Sequence, residues 1–383
     1  LLKEAKLSER NNEVDLVIEN NRYALIADAV NRTIFLSQIH LPKNIYKINI
    51  VVSERNLKAI KVIYIKSSSG KFIRSGRGTK NIRFDGKTII NKPTHLTNYL
   101  IPSLALGADL STRFQFFDPD DPLKYQVFLN LTSNIPLSRN WSLSAAYSLD
   151  LYNKFDQKRG ANSVLPHVRT EINRYLNEGA SGIRSLYLKN RGTLRDGLFY
   201  RVYAGILEEM YAGIGAELLF QPFRSRLGYG FTLNSVRQRG YKKNFDLLDY
   251  KTTTYYLSLY YASLFYNYDI ALHAGRYLAK DKGATLEIRR SFDNGFSIGA
   301  FATFTNVSAK DFGEGSFDKG LFFKIPFDNF TMTNTKRSVS TIVRSIQRDG
   351  GQRMENFSGG LWYDLRPVRY DVFTRNKSRM TSL

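Results

Sequence analysis

From about Pro102 onward, the chain alternates apolar and polar side chains with a period of two. In the stretch YDIALHAG at 268–275, for example, the polar Asp269 and His273 alternate with tyrosine, isoleucine and leucine. The pattern recurs in many segments of about 10 residues, the length of a transmembrane β-strand. Because successive side chains of a strand point to opposite faces, each segment predicts a strand with one apolar and one polar face.

Three features favour a membrane β-barrel over a soluble β-sandwich, whose strands also alternate. The segments are as long as a tilted transmembrane strand needs to be. Their polar faces carry glycine, serine and charged residues, and their apolar faces are rich in aromatic residues, of which the chain has 24 Tyr and 26 Phe. No apolar run is long enough for a transmembrane helix. We therefore expect a mainly β fold, an antiparallel transmembrane outer-membrane β-barrel of about 14 strands, within roughly 12–16.

The connections between the predicted strands differ in length in a regular way. The longest are 153–182, 239–251, 307–317 and 348–356, and all four fall at odd-numbered connections. The even-numbered connections are mostly short. One end of the barrel should therefore carry long loops and the other tight turns, as in outer-membrane barrels, whose periplasmic turns are short.

The N-terminal part of the chain has a different pattern. A helical spacing at 23–38 lies among the short strand patterns VDLVIEN, YKINIVVSE and AIKVIYIK. We expect a small soluble periplasmic β-α-β-β domain over 1–70, a linker over 71–100, the barrel over 101–373 and a polar tail over 374–383. Since the opening LLKEAKLSER lacks the features of a signal peptide, we expect the chain to be a mature or truncated piece of a secreted precursor.

The charge balance indicates an anionic partner. The chain has 56 Lys+Arg against 34 Asp+Glu, a net charge of +22. Such an excess favours binding to outer-membrane lipids, to lipopolysaccharide or to an anionic polysaccharide, the alternative being charge on solvated loops. Nucleic acid is not expected as a partner, because the basic residues are scattered and the usual binding motifs are missing from the sequence.

Residue types that carry out catalysis are scarce. The chain has no cysteine and four histidines, none of which lies at a metal-ligand spacing from another. The G-x-S-x-G spacing occurs once, as GFSIG at 295–299, but within the alternating pattern of a predicted strand and not at a strand-to-helix turn. We therefore expect no enzyme, no metal site and no cofactor.

The polar faces of the predicted strands should enclose the lumen of the barrel. Unpaired arginine and lysine there would attract anionic substrates, and opposed charges would pair across the lumen. The alternative is a filled lumen whose side chains have a structural role. By alternation the lumen-lining candidates are Arg113, Lys189, Arg201, Arg289, Lys324, Asp109, Asp150, Glu217, Asp269, Glu287 and His273, and Tyr203, Tyr256 and Tyr260 are also expected to face inward.

Several long stretches resemble one known family. They are RYLNEGASGIRSLYLKNRGTLRDGLFYRVYAGILEEMYAGIGAELLFQPF, AGRYLAKDKGATLEIRRSFDNGFSIGAFATFTNVSAKDFGEGSFDKG and RDGGQR at 348–353, with LPHVRTEINRY at 165–175. Over about residues 180–360 the sequence resembles the YjbH (GfcD-type) family of exopolysaccharide, or group 4 capsule, biosynthesis proteins. The resemblance implies an outer-membrane protein, often a lipoprotein, that helps to secrete or assemble the polymer. It also implies further sequence upstream, because family members are usually longer than this chain.

Together these observations predict an outer-membrane protein in the export or assembly of an exopolysaccharide or capsule. Its charged lumen would be a passive path or a docking site for the glycan, and the N-terminal domain would meet other export proteins or a missing N-terminal part of the same protein. Two alternatives remain open, a general anion-selective diffusion porin and a non-conducting scaffold of an export complex.

Overall fold

The computed structural model shows two β-sheets and a few short helices. It describes residues 2–8, 12–23, 25–66, 81–89, 93–98, 101, 104–116, 123–155, 163–292, 295–313, 316–326, 338–344 and 347–381.

The first sheet, here called the N-terminal sheet, has the strand order β5-β4-β3-β2-β1-β6. Its strands are β1 (Leu2–Ser8), β2 (Glu13–Glu19), β3 (Lys47–Glu54), β4 (Leu57–Ile65), β5 (Ile82–Asp85) and β6 (His95–Leu96). Helix α1 (Ile26–His40) connects β2 to β3, which pair in parallel and therefore need a crossover. Val30 and Ile34 of α1 are buried in one apolar cluster with Ile48 and Ile50 of β3, so the helix covers one face of the sheet.

The second sheet, the large sheet, has thirteen described strands in sequence order, and every neighbouring pair is antiparallel. They are β7 (Ala105–Phe116), β8 (Leu123–Pro136), β9 (Trp141–Asn153), β10 (Gly182–Arg195), β11 (Leu198–Ile206), β12 (Tyr211–Phe220), β13 (Leu227–Arg239), β14 (Leu247–Ala262), β15 (Tyr268–Arg276), β16 (Lys282–Ser291), β17 (Ser297–Thr305), β18 (Asp318–Pro326) and β19 (Ser338–Arg344).

The two faces of the large sheet have the reverse of the polarity found in a soluble protein. On the face that we call apolar, Ile214 and Leu257 are 61% and 67% exposed. On the opposite, polar face, Asn234 and Thr254 are fully buried. Soluble proteins bury apolar side chains and expose polar ones, so the apolar face of this sheet needs a covering other than water.

The connections of the large sheet alternate between two ends. One end, the long-loop end, carries 154–181 and 306–317. The other, the short-turn end, carries turns such as 196–197 and 221–226, and its one longer connection, 327–337, lies outside the described residues. The predicted placement of the long connections 153–182, 239–251 and 307–317 at a common end is confirmed by this topology. The fourth predicted connection, 348–356, does not join two described strands, since it follows β19 and leads to short helices.

The N-terminal sheet lies against the short-turn end of the large sheet. The backbone N–H of Lys58 donates to Thr193 Oγ1 over 2.9 Å. The backbone N–H of Thr88 donates to Asp196 Oδ1 over the same distance, 2.9 Å. These contacts join the two sheets next to a turn of two residues.

Short helices complete the described fold. They are α2 (Ile172–Glu178), α3 (Ala309–Phe312), α4 (Gly360–Leu365) and α5 (Tyr370–Arg375), with the 3-10 helices η1 (Arg366–Val368) and η2 (Lys377–Thr381). The prediction of a mainly β chain with antiparallel strands is confirmed.

None of the helices within the described residues is long and apolar enough to cross a membrane.

Candidate functional site

The polar face of the large sheet is covered by the end of the chain. Residues 347–381, here called the C-terminal segment, contain α4, η1, α5 and η2. Large side chains of this segment are fully buried, among them Trp362, Arg369 and Phe373. The segment follows β19 at the long-loop end and, as the contacts below show, reaches the N-terminal sheet at the short-turn end.

Asp269 of β15 holds the C-terminal segment through two arginines. Arg366 Nε donates to Asp269 Oδ2 over 2.7 Å, and Arg369 Nη2 donates to Asp269 Oδ1 over 2.6 Å. Asp269 and Arg369 are almost fully buried. A buried carboxylate of this kind is tolerated because both of its oxygens are paired with cations.

Glu287 of β16 is a second attachment point. It pairs with Arg353, and it accepts a hydrogen bond of 2.9 Å from the hydroxyl group of Tyr363. Beside it on β15, His273 Nδ1 lies 2.8 Å from Ser258 Oγ, and His273 Nε2 lies 3.7 Å from Glu287 Oε1. His273 is buried beneath the segment, so this cluster has the properties of a structural contact.

Glu217 of β12 is a third attachment point. It accepts a hydrogen bond of 2.8 Å from the backbone N–H of Leu361 and pairs with Arg201 of β11. Arg201 in turn donates to the backbone carbonyl of Asn356 over 3.0 Å. The charges of the sheet are therefore paired with each other and with the backbone of the segment.

Aromatic contacts accompany the ion pairs. Trp362 stacks on Tyr260 of β14, with ring centroids 4.9 Å apart. Phe357 packs against Tyr203 of β11, with centroids 4.4 Å apart. Tyr203, Tyr256 and Tyr260, which were predicted to face inward, are buried on the polar face.

The C-terminal segment also contacts the N-terminal sheet. Arg55 Nη1 donates to Asp364 Oδ1 over 2.8 Å. Burial by itself would raise the pKa of Asp364, but the charges of Arg55 and Arg191 outweigh burial and hold that pKa below its ordinary value. Phe373 packs edge-on against Phe84 of β5, with centroids 5.9 Å apart. The N-terminal sheet, the segment and the large sheet therefore share one packed interior.

A charged cluster lies at the long-loop end, around Glu209. Arg113, Arg184 and Lys243 all contact its carboxylate, at 3.0 Å for Arg184 and 3.4 Å for Lys243. Burial would raise the pKa of Glu209, but the three cations hold it well below its ordinary value. Burial also lowers the pKa of Lys243 to about 8, against the opposing effect of Glu209. Because Arg113 lies on β7 and Glu209 in the β11–β12 turn, the large sheet is curled.

The structure brings most of the predicted lumen residues into this arrangement. Lys189 is half-buried on the polar face with Nζ 5.7 Å from the centroid of Tyr187, whereas Asp109 and Lys324 are exposed. Asp150 accepts a hydrogen bond of 2.7 Å from Gln126. The predicted residues in contact with the C-terminal segment or with the Glu209 cluster are Arg113, Arg201, Arg289, Glu217, Asp269, Glu287 and His273.

Sequence reasoning missed the partners of these residues. Arg353, Arg366 and Arg369 neutralise the acidic side chains of the polar face, and all three lie on the C-terminal segment. The available signal was the basic RDGGQR stretch at 348–353 and the arginine pair that follows α4. Within the described part of the chain, no group of three or more histidine or acidic side chains is placed to hold a metal ion.

Comparison with known proteins adds an independent finding. The model of a family described as exopolysaccharide biosynthesis protein YbjH matches residues 2–362. The uncharacterized lipoprotein YjbH of Escherichia coli (strain K12) is 33% identical over 247 residues, which are 62% of this chain and 35% of that protein. The match therefore spans about a third of the length of this relative.

Among solved structures, the Salmonella typhi OmpF complex with daunomycin is matched with a TM-score of 0.34 and 12% identity, over 67% of this chain and 94% of that one.

Proposed function

This chain belongs to the YjbH family of exopolysaccharide biosynthesis proteins, and we propose that it is an outer-membrane β-barrel protein that takes part in the export or assembly of the polymer. Family membership supports the role in exopolysaccharide biosynthesis. The membrane location, the closed barrel and the mode of action are the parts that we propose here from physical arguments.

The reversed polarity of the large sheet supports the membrane location. Its apolar face exposes large side chains along many strands, such as Ile214 on β12 and Leu272 on β15. Strands of 9 to 16 residues between β7 and β18 are long enough to cross the apolar core of a bilayer when tilted. Hydrocarbon can cover such a face without exposing backbone polar groups if the sheet closes on itself. We therefore propose that the strands form a barrel of about 14 strands.

The single observation that supports the proposed mode of action is the position of the C-terminal segment on the polar face. If the barrel closes, its lumen contains this segment, which is attached through Asp269, Glu287 and Glu217. A general diffusion porin needs a wide aqueous channel. The filled interior instead supports a docking or scaffold protein that is at most narrowly conducting, and we propose that the glycan docks on this protein.

The position of the N-terminal sheet supports a periplasmic location for that sheet. It lies at the short-turn end, and short turns face the periplasm in outer-membrane barrels. The relative from Escherichia coli is named a lipoprotein, which is compatible with the same membrane. We propose outer-membrane lipids, lipopolysaccharide and an anionic polysaccharide as partners, together with other export proteins or the upstream part of a longer protein. No catalytic role is proposed.

Reconstitution in planar bilayers tests this function. The purified protein should require detergent, insert into bilayers and give a small conductance that falls when the purified native polymer is added. A large conductance that is insensitive to the polymer would support the porin instead. A compact folded protein in buffer without detergent would contradict the membrane location. A matched control is the same protein with Leu257 and Leu272 on the apolar face replaced by lysine, which should insert poorly because charged side chains are unfavourable in hydrocarbon.

A further inference from the structure

The C-terminal segment does not contact all strands of the large sheet equally. Its contacts described above fall on β10 to β16, from Tyr187 and Arg191 to Glu287. On the polar faces of β7, β8 and β9, several side chains in the middle of the strands are half-exposed or exposed. The neighbouring Gln126 and Phe128, closer to the long-loop end, are fully buried. An accessible groove therefore lies beside the segment.

Cross-strand pairing defines which residues line this groove. Thr132 pairs with Gly107 and Ala146, and Asn134 pairs with Ser144, so all of these residues share the polar face. The residues that we call the polar groove are Asp109, Asn130, Thr132, Asn134, Ser144 and Tyr187.

The polar groove carries hydrogen-bonding groups that are almost all uncharged. Asn130 Oδ1 accepts from Arg184 over 2.7 Å, and Asn134 Oδ1 accepts from Ser144 over 3.0 Å. These bonds use the amide oxygens and orient the amide nitrogens, each of which has two N–H donors. In the described contacts neither nitrogen donates to another protein group. The groove therefore presents fixed amide donors together with the hydroxyl group of Thr132.

An aromatic side chain forms the border between the groove and the segment. Tyr187 of β10 lies opposite Ser144 in the sheet and packs edge-on against Phe357, with centroids 5.2 Å apart. At the other side Gly107 has no side chain, and a Cβ atom there would come within 2.6 Å of Thr132 Oγ1. The ring of Tyr187 therefore bounds the groove on one side, and the absence of a side chain at Gly107 leaves space on the other side.

The groove ends at the Glu209 cluster. Arg113 and Arg184 each place their guanidinium group over the ring of the buried Phe128, at 4.8 and 5.4 Å from its centroid, and pair with Glu209. The charges at this end are therefore already partnered inside the protein. A ligand in the groove meets amides, hydroxyl groups and one tyrosine, with Asp109 as the exposed charge at the edge.

We propose that the polar groove is a binding site for an uncharged, hydroxyl-rich oligosaccharide segment. Amide and hydroxyl groups match sugar hydroxyl groups, which both donate and accept, and a tyrosine ring adds an apolar surface. An anionic segment is disfavoured because Arg113 and Arg184 are already paired with Glu209 and the edge of the groove carries Asp109. Lys189, with Nζ 5.7 Å from the centroid of Tyr187, is a cation at the border with the segment. This inference rests on the proposed role in exopolysaccharide export and names the part of the protein that contacts uncharged sugar residues of the glycan.

Single cysteines test the groove cleanly, since the chain has none of its own. Thr132→Cys and Ser144→Cys place a thiol in the groove. Ser133→Cys is the matched control on the apolar face of the same strand, and Ser258→Cys is the control beneath the C-terminal segment. In the full chain reconstituted in lipid nanodiscs, a charged, water-soluble thiosulfonate should modify the two groove thiols at least about tenfold faster than the two controls.

Maltoheptaose is the neutral probe and an alginate oligomer the anionic one. We expect maltoheptaose to slow modification at residues 132 and 144 and alginate to leave it unchanged. The proposal would be overturned if the groove thiols react no faster than the thiol of Ser258→Cys. It would also be overturned if neither probe protects the groove thiols, or if only alginate does. Bilayer insertion and the polymer-dependent current of the same variants report separately on the proposed function. The proposed function and the proposed binding site can therefore fail independently.

Discussion

The indole ring of Trp362 lies parallel to the ring of Tyr260, with an angle of 9° between their planes, and joins the C-terminal segment to β14. Trp362 is fully buried, and the guanidinium carbon of Arg369, which pairs with Asp269, lies 4.1 Å from the centroid of the indole. Trp362 therefore contacts both an aromatic ring of the large sheet and an arginine that forms an ion pair with that sheet.

The chain has two tryptophans, and they report on the two faces of the large sheet. Trp141 lies on the apolar face and is 41% exposed. In vesicles that contain brominated lipid, we expect Trp362→Phe, which retains Trp141, to lose most of its fluorescence. Trp141→Phe, which retains Trp362, should keep it. Equal quenching of both variants would contradict the arrangement of the faces.

Much of the fold was accessible from the alternation of the sequence. A period of two tells which side chains share a face, and Asp269, His273 and Glu287 lie on one face both in the sequence pattern and in the structure. The covering of that face could not be predicted in the same way. Residues 347–381 have short helices without a long periodic pattern, and their position depends on contacts with residues about 70 to 150 positions earlier in the chain.

The pairing of the charges could not be predicted either, because it also depends on contacts between residues that are distant in the sequence. A net charge of +22 suggests unpaired cations in a lumen, but Arg201 is paired with Glu217, and Arg113 with Glu209. Ion pairs between distant segments have no signature in local sequence. Asp109 and Lys324, on the less covered strands β7 and β18, are exposed, and Lys189 on β10 is half-buried.

The ion pair between Arg369 and Asp269 predicts a strong and non-additive effect on stability. Asp269→Leu deprives the buried Arg369 and its neighbour Arg366 of their shared carboxylate, which costs about 3–5 kcal/mol. Arg369→Met should cost less, because Asp269 keeps its pair with Arg366. The double variant should lose less than the sum of the single variants. Thermal unfolding of the full chain in detergent, followed by circular dichroism, measures all three. Arg379→Met is the matched control on the same segment, since its pair with Asp28 is exposed and contributes at most about 1 kcal/mol. Strictly additive losses would contradict the pairing.

The N-terminal sheet should become more stable at alkaline pH because of Lys58. Burial, reinforced by Lys3, lowers the pKa of Lys58 to about 8. In the unfolded chain a lysine has a pKa of about 10.4, so between these values the unfolded state binds more protons and the free energy of unfolding rises with pH. The contribution of Lys58 to the stability of the full chain should therefore grow from about pH 8 to 10. The free energy of unfolding of the full chain should rise over this range relative to that of Lys58→Met, and not relative to that of the control Lys47→Met. Lys243, whose pKa is also about 8, contributes equally to all three proteins and cancels in these differences. A constant difference between the full chain and Lys58→Met would contradict the role of this residue.

The glycine that precedes α4 predicts how a substitution would loosen the C-terminal segment. Gly359 precedes this helix with φ of +82°, a conformation that side chains rarely adopt, and a Cβ atom there would lie 2.6 Å from Tyr260 Oη and 2.7 Å from His273 Cε1. Gly359→Ala should therefore loosen the C-terminal segment, because both rings are buried and cannot move away. Gly313 is the matched control, since its φ is +86° but its added Cβ would meet only the side chain of Arg348, at 3.3 Å. Limited trypsin digestion in detergent should cleave near Arg353 and Arg366 faster in Gly359→Ala than in Gly313→Ala. The backbone of Gly313, with ψ of −149°, strains an added side chain at least as much as that of Gly359, with ψ of +23°, so the collision with the sheet is what distinguishes the two variants. Equal cleavage would mean that the segment is not seated against β14 and β15.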